Sequence, residues 1–279
     1  MKFKVLASLT VLSFLALLLP SSAATSGDVT AELKDLVGRI NTKLQAGEHT
    51  EEALAGELKE FDALIARHQD EKTEQVAQAL VMQSMLYIDE FDDSAKAIAI
   101  LQRVQTEYAE TTLGKKAGDI ITKIQEHAAG EKIHQNLVPG VIFPDFSAKD
   151  TAGQPLSLAQ YKGKIVLVDF WATWCPPCRD EIPNVVKVYQ KYHAQDFEVI
   201  GISLDKEGDG DKLAAFTKEN GMVWPQYFDG GFWENKLVLK YGVSAIPATY
   251  LLDGHGRIIA LDLRGDALDA AVAKAIALK

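Results

Sequence analysis

The residues of this sequence best suited to chemistry are its two cysteines, Cys175 and Cys178, which are separated by two prolines. They are the only cysteines in the chain. They lie where a nearly continuous apolar run over 164–171 (KIVLVDFW), typical of a buried central strand, meets a predicted helix over 176–194. A C-x-x-C pair at such a junction indicates thiol–disulfide redox chemistry. Because no third cysteine exists, the pair exchanges disulfides only within itself or with another molecule.

The position of each cysteine on the predicted helix suggests which sulfur attacks. Cys175 falls at the helix N-cap, where the helix dipole favours a thiolate, so we expect it to be the nucleophile. Cys178 lies one turn further in and is expected to be better shielded and to resolve the mixed disulfide. Pro176 and Pro177 have no N–H, so the Cys178 amide is the nearest helical donor to the Cys175 sulfur. We expect a single donor to stabilise the thiolate only moderately, which favours a reductant over a strong oxidant.

Two carboxylates are candidates for accepting the proton that Cys178 loses. Asp169 stands in an otherwise apolar strand six residues before Cys175, and burial there would raise its pKa towards that of a proton acceptor. Glu181 follows Cys178 by three residues and so shares its side of the helix, although an exposed acid in the first turn is also common. The sequence leaves open which of the two carboxylates accepts the proton.

A second candidate region lies further along the chain, at Ile246 and Pro247. Pro247 opens an apolar strand, a position where proline is tolerated and where we expect a cis peptide bond. If this turn faces the cysteines, the Ile246 backbone would pair with an extended substrate chain. The six histidines are scattered and none lies near the cysteines, so the sequence predicts no metal site and no cofactor. A copper(I) ion held by the two thiolates is an alternative.

The N-terminus predicts export. Lys2 and Lys4 precede an apolar run over 5–19, and small residues follow up to Ala24, so residues 1–24 have the pattern of a cleaved secretory signal. The apolar run is short for a membrane span, and we expect no stable membrane insertion after cleavage. Export, to a bacterial periplasm, would place the cysteines in an oxidising compartment, where a structural disulfide would be equally ordinary.

The net charge of the chain limits the classes of partner, and the spacing of its apolar residues predicts its domain organisation. The formal net charge of −10 argues against nucleic acid or anionic lipid as a partner. Residues 25–130 predict a small all-α domain of five helices, over 28–46, 50–67, 71–89, 93–109 and 113–128. One stretch, 94–110, weakly resembles a helix of a tetratricopeptide repeat, but a plain amphipathic hairpin is favoured because repeat arrays need roughly three units. Residues 131–141 predict a linker.

Residues 142–279 alternate between strand and helix patterns. Strands are predicted over 165–171, 197–204, 223–228, 249–252 and 257–261, with helices over 176–194, 211–220, 233–241 and 266–278. The last two strands flank a turn over 253–256 and should form an antiparallel hairpin. The pattern predicts an α/β domain with a central mixed sheet flanked by helices.

These motifs, in combination and in order, resemble exported bacterial thiol–disulfide oxidoreductases of the TlpA/ResA type, which have a thioredoxin-like fold. The resemblance covers 139–279, and its matching stretches are 144–146 (PDF), 153–158 (GQPLSL), 161–164 (YKGK), 168–179 (VDFWATWCPPCR), 241–243 (YGV), 246–249 (IPAT) and 253–254 (DG). It implies that Asp169 is the buried acid of thioredoxin and that Glu181 is the acid that ResA-like members carry near their active site. Residues 28–129 have no clear counterpart in the small members of the family.

The resemblance also implies roles at the site. Cys175 would be the nucleophile and Cys178 the resolving thiol, with Pro247 in cis beside them. The predicted substrate-binding residues are Trp174, Pro176, Ile246 and Pro247.

We therefore expect an exported enzyme that reduces disulfides in client proteins and is itself re-reduced by a membrane thiol–disulfide electron donor. A disulfide oxidase or isomerase would use the same residues. A peroxiredoxin-type peroxidase is disfavoured, because it would have Thr three residues before its cysteine, where Ala172 stands. A different class also fits the pattern: a module that docks a partner through its helical domain and uses the cysteines to sense redox state or to hold copper(I).

Overall fold

The computed structural model describes residues 29–279, which divide into two compact units, one ending at Gln125 and the other beginning at Glu126. The predicted signal over 1–24 lies outside the described residues. No helix within 29–279 combines the length and the apolar character needed to cross a membrane.

The N-terminal region consists of five helices, which confirms the all-α prediction. Their bounds are Val29–Gln45 (α1), Ala55–Arg67 (α2), Glu74–Asp89 (α3), Ser94–Glu107 (α4) and Thr112–Asn136 (α5). Helix α3 buries consecutive residues such as Val76, Ala77, Leu80 and Val81, as expected for a helix surrounded by its neighbours. The Asp93 side chain caps α4 by accepting a hydrogen bond from a backbone amide of the first turn.

Helix α5 is longer than the sequence predicted. It continues to Asn136, so residues 131–136 of the predicted linker are helical. Gly130, just before the predicted linker, lies inside this helix and allows close packing, because a Cβ atom there would overlap the carbonyl oxygen of Leu239. The helical conformation is instead disfavoured further on, at the residue before Pro139.

The C-terminal unit begins with a separate antiparallel pair that the sequence did not predict, Ala148–Lys149 (β1) and Pro155–Leu156 (β2). The predicted mixed sheet follows, and its strands are Ile165–Trp171 (β3), Phe197–Ser203 (β4), Gln226–Tyr227 (β5), Ala248–Leu252 (β6) and Ile258–Leu261 (β7). They lie in the order β5-β4-β3-β6-β7. Strands β3, β4 and β5 are parallel, and β6 runs antiparallel to both β3 and β7.

Four helices complete this unit, and they are Pro176–Tyr192 (α6), Gly210–Glu219 (α7), Lys236–Tyr241 (α8) and Gly265–Ala277 (α9). Helix α8 begins later than predicted, after a separate 3₁₀ turn over Phe232–Glu234. The reason is the fully buried Asn235, whose side chain accepts hydrogen bonds from Leu237 and Val238 and so starts a new helix.

Strand β3 lies at the centre of the sheet and positions the cysteines. Every residue of β3 is buried, which explains its nearly continuous apolar sequence. Asp169 is the exception in residue type, and its neighbours in register are Gly201 on β4 and Thr249 on β6. The chain leaves β3 at Trp171 and enters α6 at Pro176, so the first cysteine falls in the short turn between them.

Candidate active site

Cys175 and Cys178 form a disulfide at the start of α6. Cys175 is the N-cap residue, and its Sγ accepts a hydrogen bond from the Cys178 amide at 3.3 Å, which confirms the donor expected from the sequence. The two cysteines are 3% and 2% exposed, so exposure does not distinguish them as the sequence had suggested. The hydrogen bond does distinguish them, because it reaches only the sulfur expected to attack.

The Ile246–Pro247 turn lies beside this disulfide. Its peptide bond is cis, as predicted, and the Ile246 carbonyl oxygen is 3.9 Å from Cys175 Sγ. Both residues are half-buried. The carbonyl oxygen of Pro247 accepts a hydrogen bond from Arg264 Nη2 at 2.7 Å, so a residue just before α9 holds the turn.

Trp174 and Pro176 form the exposed rim around the disulfide. The Trp174 side chain is anchored because its Nε1 donates to the Leu204 carbonyl at 3.1 Å. Its ring packs 5.2 Å from Phe232 and 6.3 Å from Trp233, measured between ring centroids. Sequence reasoning missed both of these aromatic residues, although the adjacent Gly230 and Gly231 marked a turn there.

Asp169 is buried in the sheet close to the start of α6. Burial raises the pKa of its carboxyl group to about 7, the positive charge of Arg264 lowers the pKa, and the negative charge of Glu181 raises it further. Among residues 29–279, no hydrogen-bond donor reaches the Asp169 carboxylate. Its surroundings therefore suit a group that gains and loses a proton near neutral pH.

Glu181 lies near Asp169 but is engaged in local structure. Its Oε1 accepts a hydrogen bond from the Gly265 amide at 2.8 Å, and its Oε2 accepts one from Asn184 at 3.2 Å. Gly265 is the first residue of α9, so Glu181 holds the start of that helix, where a negative charge is favoured.

A second buried carboxylate, Asp205, holds the turn that carries the cysteines. Thr173 donates to it from both its amide and its hydroxyl, and the Ser203 hydroxyl donates at 2.7 Å. Asp205 is fully buried, and its donors are neutral. Sequence reasoning missed it, although an acid directly after the apolar end of β4 was a usable signal.

Comparison with known proteins agrees with this geometry. Residues 139–261 match the AhpC/TSA family. This part of the chain is an AhpC/TSA thioredoxin-like domain. It is related to the thiol-disulfide oxidoreductase ResA of Bacillus anthracis, which is 33% identical over 116 residues, covering 42% of this chain and 64% of the relative. ResA of Bacillus subtilis (strain 168) is 29% identical over 127 residues, covering 45% of this chain and 67% of the relative.

Solved structures give a similar coverage of the thioredoxin-like domain. A thiol:disulfide interchange protein of the thioredoxin family from Chlorobium tepidum TLS is 28% identical, with a TM-score of 0.43, and the match covers 50% of this chain and 97% of that one. The chain spans 64% of the length of the first curated relatives.

The thioredoxin-like domain brings most of the predicted site residues to one place. Ile246 lies against the Cys175 sulfur, Trp174 borders the same turn, and the negative charge of Glu181 raises the pKa of Asp169. A cavity of about 630 Å³ lined by Leu251, Ala260 and Ala271 includes neither cysteine. Within residues 29–279, no group of three or more His, Cys, Asp or Glu side chains is arranged to hold a metal ion.

Proposed function

We propose that this protein is a thiol–disulfide oxidoreductase that reduces disulfides in client proteins. One observation carries the proposal. The Cys175 sulfur accepts a hydrogen bond from the Cys178 amide at 3.3 Å and lies 3.9 Å from the Ile246 carbonyl oxygen. An extended client chain would pair with the backbone at Ile246. A thiolate formed at this sulfur would be stabilised by the start of α6 and would face the bound client. The relationship of the thioredoxin-like domain to ResA supports the same reaction class.

The reaction begins with both cysteines reduced. The Cys175 thiolate attacks one sulfur of the client disulfide, and the other client sulfur leaves as a thiolate that takes a proton from water. Cys178 then loses its proton to a nearby carboxylate, and its thiolate attacks the Cys175 sulfur. The mixed disulfide breaks, and the second client sulfur leaves as a thiolate. Two electrons have passed from the cysteine pair to the client disulfide, and the enzyme is left oxidised.

We assign the proton acceptor to Asp169 rather than to Glu181. Both oxygens of Glu181 already accept hydrogen bonds, from the Gly265 amide and from Asn184, so protonating it would weaken the start of α9. Asp169 has no such role, and burial raises its pKa to about 7, so it exchanges a proton near neutral pH.

We further propose that the chain is exported to a bacterial periplasm and is re-reduced there by a membrane thiol–disulfide electron donor. The pattern of residues 1–24 supports export. A reductant in an oxidising compartment needs a continuous supply of electrons, and a membrane dithiol is the class of donor that provides them.

Insulin reduction by dithiothreitol tests the proposed reaction. We expect the native protein to accelerate it and the Cys175→Ser variant to give only the rate of dithiothreitol alone. The matched Cys178→Ser variant should accumulate a mixed disulfide with its client, because the attacking sulfur remains and the resolving one is absent. Equal rates for the native protein and Cys175→Ser would overturn the enzyme assignment and favour a docking or redox-sensing module.

The direction of the reaction is tested by equilibration with dithiothreitol and glutathione buffers. Only one helix amide reaches the Cys175 sulfur at the start of α6, because Pro176 and Pro177 lack an N–H. We therefore expect a reduction potential nearer to the value of about −270 mV for thioredoxin than to the value of about −120 mV for the oxidant DsbA. A potential near the second value would favour a disulfide oxidase.

A further inference from the structure

Arg264, which the sequence did not single out, is held in a fixed position next to the candidate active site. It directly precedes α9, and its side chain is 32% exposed. Its Nη1 donates to the Thr249 hydroxyl at 3.0 Å and to the Leu263 carbonyl at 2.7 Å. Its Nη2 donates to the Pro247 carbonyl at 2.7 Å. The guanidinium group therefore connects the cis-proline turn to strand β6.

The hydrogen bond to Thr249 places this positive charge beside Asp169. Thr249 on β6 and Asp169 on β3 are directly opposite in register. Residues paired in this way on antiparallel strands project to the same face of the sheet. Because the Thr249 hydroxyl accepts from Arg264, the guanidinium lies over the face that carries the Asp169 carboxylate, one strand away.

The other groups around Asp169 leave Arg264 as its counter-charge. On β4 its neighbour in register is Gly201, and the space over that glycine is filled by the neutral side-chain amide of Gln226 from β5. Helix α6 contributes the carboxylate of Glu181, which accepts a hydrogen bond from the backbone amide of Gly265, the residue after Arg264. The Asp262 carboxylate also lies near the guanidinium, with its Oδ1 4.0 Å from Arg264 Nη2, so Asp169 shares this cation with a second anion. The charge of Arg264 lowers the pKa of Asp169, and the charge of Glu181 raises it.

We propose that Arg264 is a positioning residue that sets the pH range in which Asp169 accepts the Cys178 proton. The proposal rests on the proposed function, and it deepens the role of the same site. Asp169 accepts a proton only in its ionised form, which the guanidinium favours and the Glu181 carboxylate opposes. The hydrogen bonds to Thr249 and Pro247 keep the charge at one place, so the balance does not depend on a mobile side chain.

The test compares two variants that should move the resolving step in opposite directions. When the reduced protein reacts with dithionitrobenzoate, Cys175 releases the first thionitrobenzoate and Cys178 releases the second, so the second phase of the absorbance change reports resolution. Arg264→Met should move the pH midpoint of this phase upwards, and Glu181→Gln should move it downwards. If the pH midpoint of Arg264→Met lies half a pH unit above that of the native protein, the second phase should be about threefold slower at pH values below the midpoint.

A conservative variant and a second readout separate charge from structure. Arg264→Lys keeps the charge but not the forked hydrogen bonds, so we expect a midpoint between those of the native protein and Arg264→Met. The ¹³C chemical shift of the Asp169 carboxyl group, followed against pH in the oxidised protein, should show the same order without any turnover.

Midpoints that coincide in the native protein, Arg264→Met and Glu181→Gln, or that move in the same direction in both variants, would overturn the inference. If Arg264→Met does not fold, Arg264→Lys and Glu181→Gln still test the inference. An unshifted pH midpoint in Glu181→Gln would contradict the proposed opposite effects of Arg264 and Glu181 on Asp169. Failure of the proposed function is recognised separately. In that case the native protein reduces no insulin, while the ¹³C titration still reports whether Arg264 acts on Asp169.

Discussion

One buried carboxylate of the thioredoxin-like domain, Asp169, differs from the buried charged side chains of the helical unit. In the helical unit, the buried Glu57 is paired with Lys43 at 2.9 Å, and the buried His68 contacts Glu71 at 2.9 Å. In the thioredoxin-like domain, Asp169 is buried in the central strand, and no donor within residues 29–279 reaches its carboxylate. Stable packing requires that buried charged or polar side chains have partners, as Glu57 and His68 do.

The difference indicates where the chain carries its chemistry. A largely buried carboxylate without donors costs stability when it is ionised, so packing alone does not explain its presence. Asp169 lies on the strand that leads into the cysteine pair, and its pKa is affected by Glu181, which lies one turn beyond Cys178 on α6. Among the described residues of the helical unit, the buried ionisable group without a hydrogen-bond partner is the Tyr108 hydroxyl. Burial raises the pKa of Tyr108 above its ordinary value, so this hydroxyl is neutral near pH 7 and carries no charge that needs a partner.

The largest expected effect follows from the burial of Asp169. Its pKa is raised to about 7 in the folded state, so its contribution to stability is present in full below the pKa of about 3.9 of the unfolded chain and is lost as the pH rises through 7. Asp169→Asn removes this dependence. Relative to the native protein, its free energy of unfolding should therefore rise by about 2 to 3 kcal/mol between pH 5 and pH 9.

Urea unfolding of the oxidised proteins at the two pH values measures this difference. The Asn variant should also resolve the mixed disulfide more slowly, because an amide accepts no proton at these pH values. A stability difference that is the same at pH 5 and pH 9 would contradict the unpartnered burial of Asp169 and so break the comparison between the two units.

A smaller effect is expected at Thr173, which holds the turn between β3 and α6. Thr173→Val removes a hydroxyl donor from the buried Asp205 and should cost about 1 to 2 kcal/mol of stability. Insulin reduction should slow as well, since the same turn carries Trp174 and Cys175. Thr217→Val is the matched control, because the Thr217 hydroxyl donates only to carbonyls of its own helix. Equal losses in the two variants would argue against a role for Asp205 at the site.

The smallest effect is expected in the helical unit. Glu57→Gln replaces the charge that pairs with Lys43 but keeps the packing, and it should cost about 1 kcal/mol. Thermal or urea unfolding measures the loss, and insulin reduction should remain at the native rate. A drop in the rate of insulin reduction, with a loss of stability no larger than expected, would show that the helical unit contributes to the reaction. The two units would then not differ in the way proposed.

Much of the fold and the centre of the candidate site followed from local sequence patterns. The apolar run of β3, the N-cap position of Cys175 and the cis bond before Pro247 depend on residues adjacent in sequence. The linker was partly wrong for a related reason. The predicted helix ended at residue 128, whereas α5 continues through Gly130, which packs against a carbonyl more than one hundred residues away.

The sequence by itself determined the cysteine pair, the Cys178 amide as the donor to the Cys175 sulfur and the mixed sheet, because spacing and periodicity act over a few residues. Only the tertiary structure decided how the proton-handling groups are arranged. Glu181 reaches the Gly265 amide across 84 positions, and Arg264 reaches Pro247 across 17. Such contacts depend on the register of the strands and the packing of α6 against α9, and for that reason no local pattern distinguishes Asp169 from Glu181.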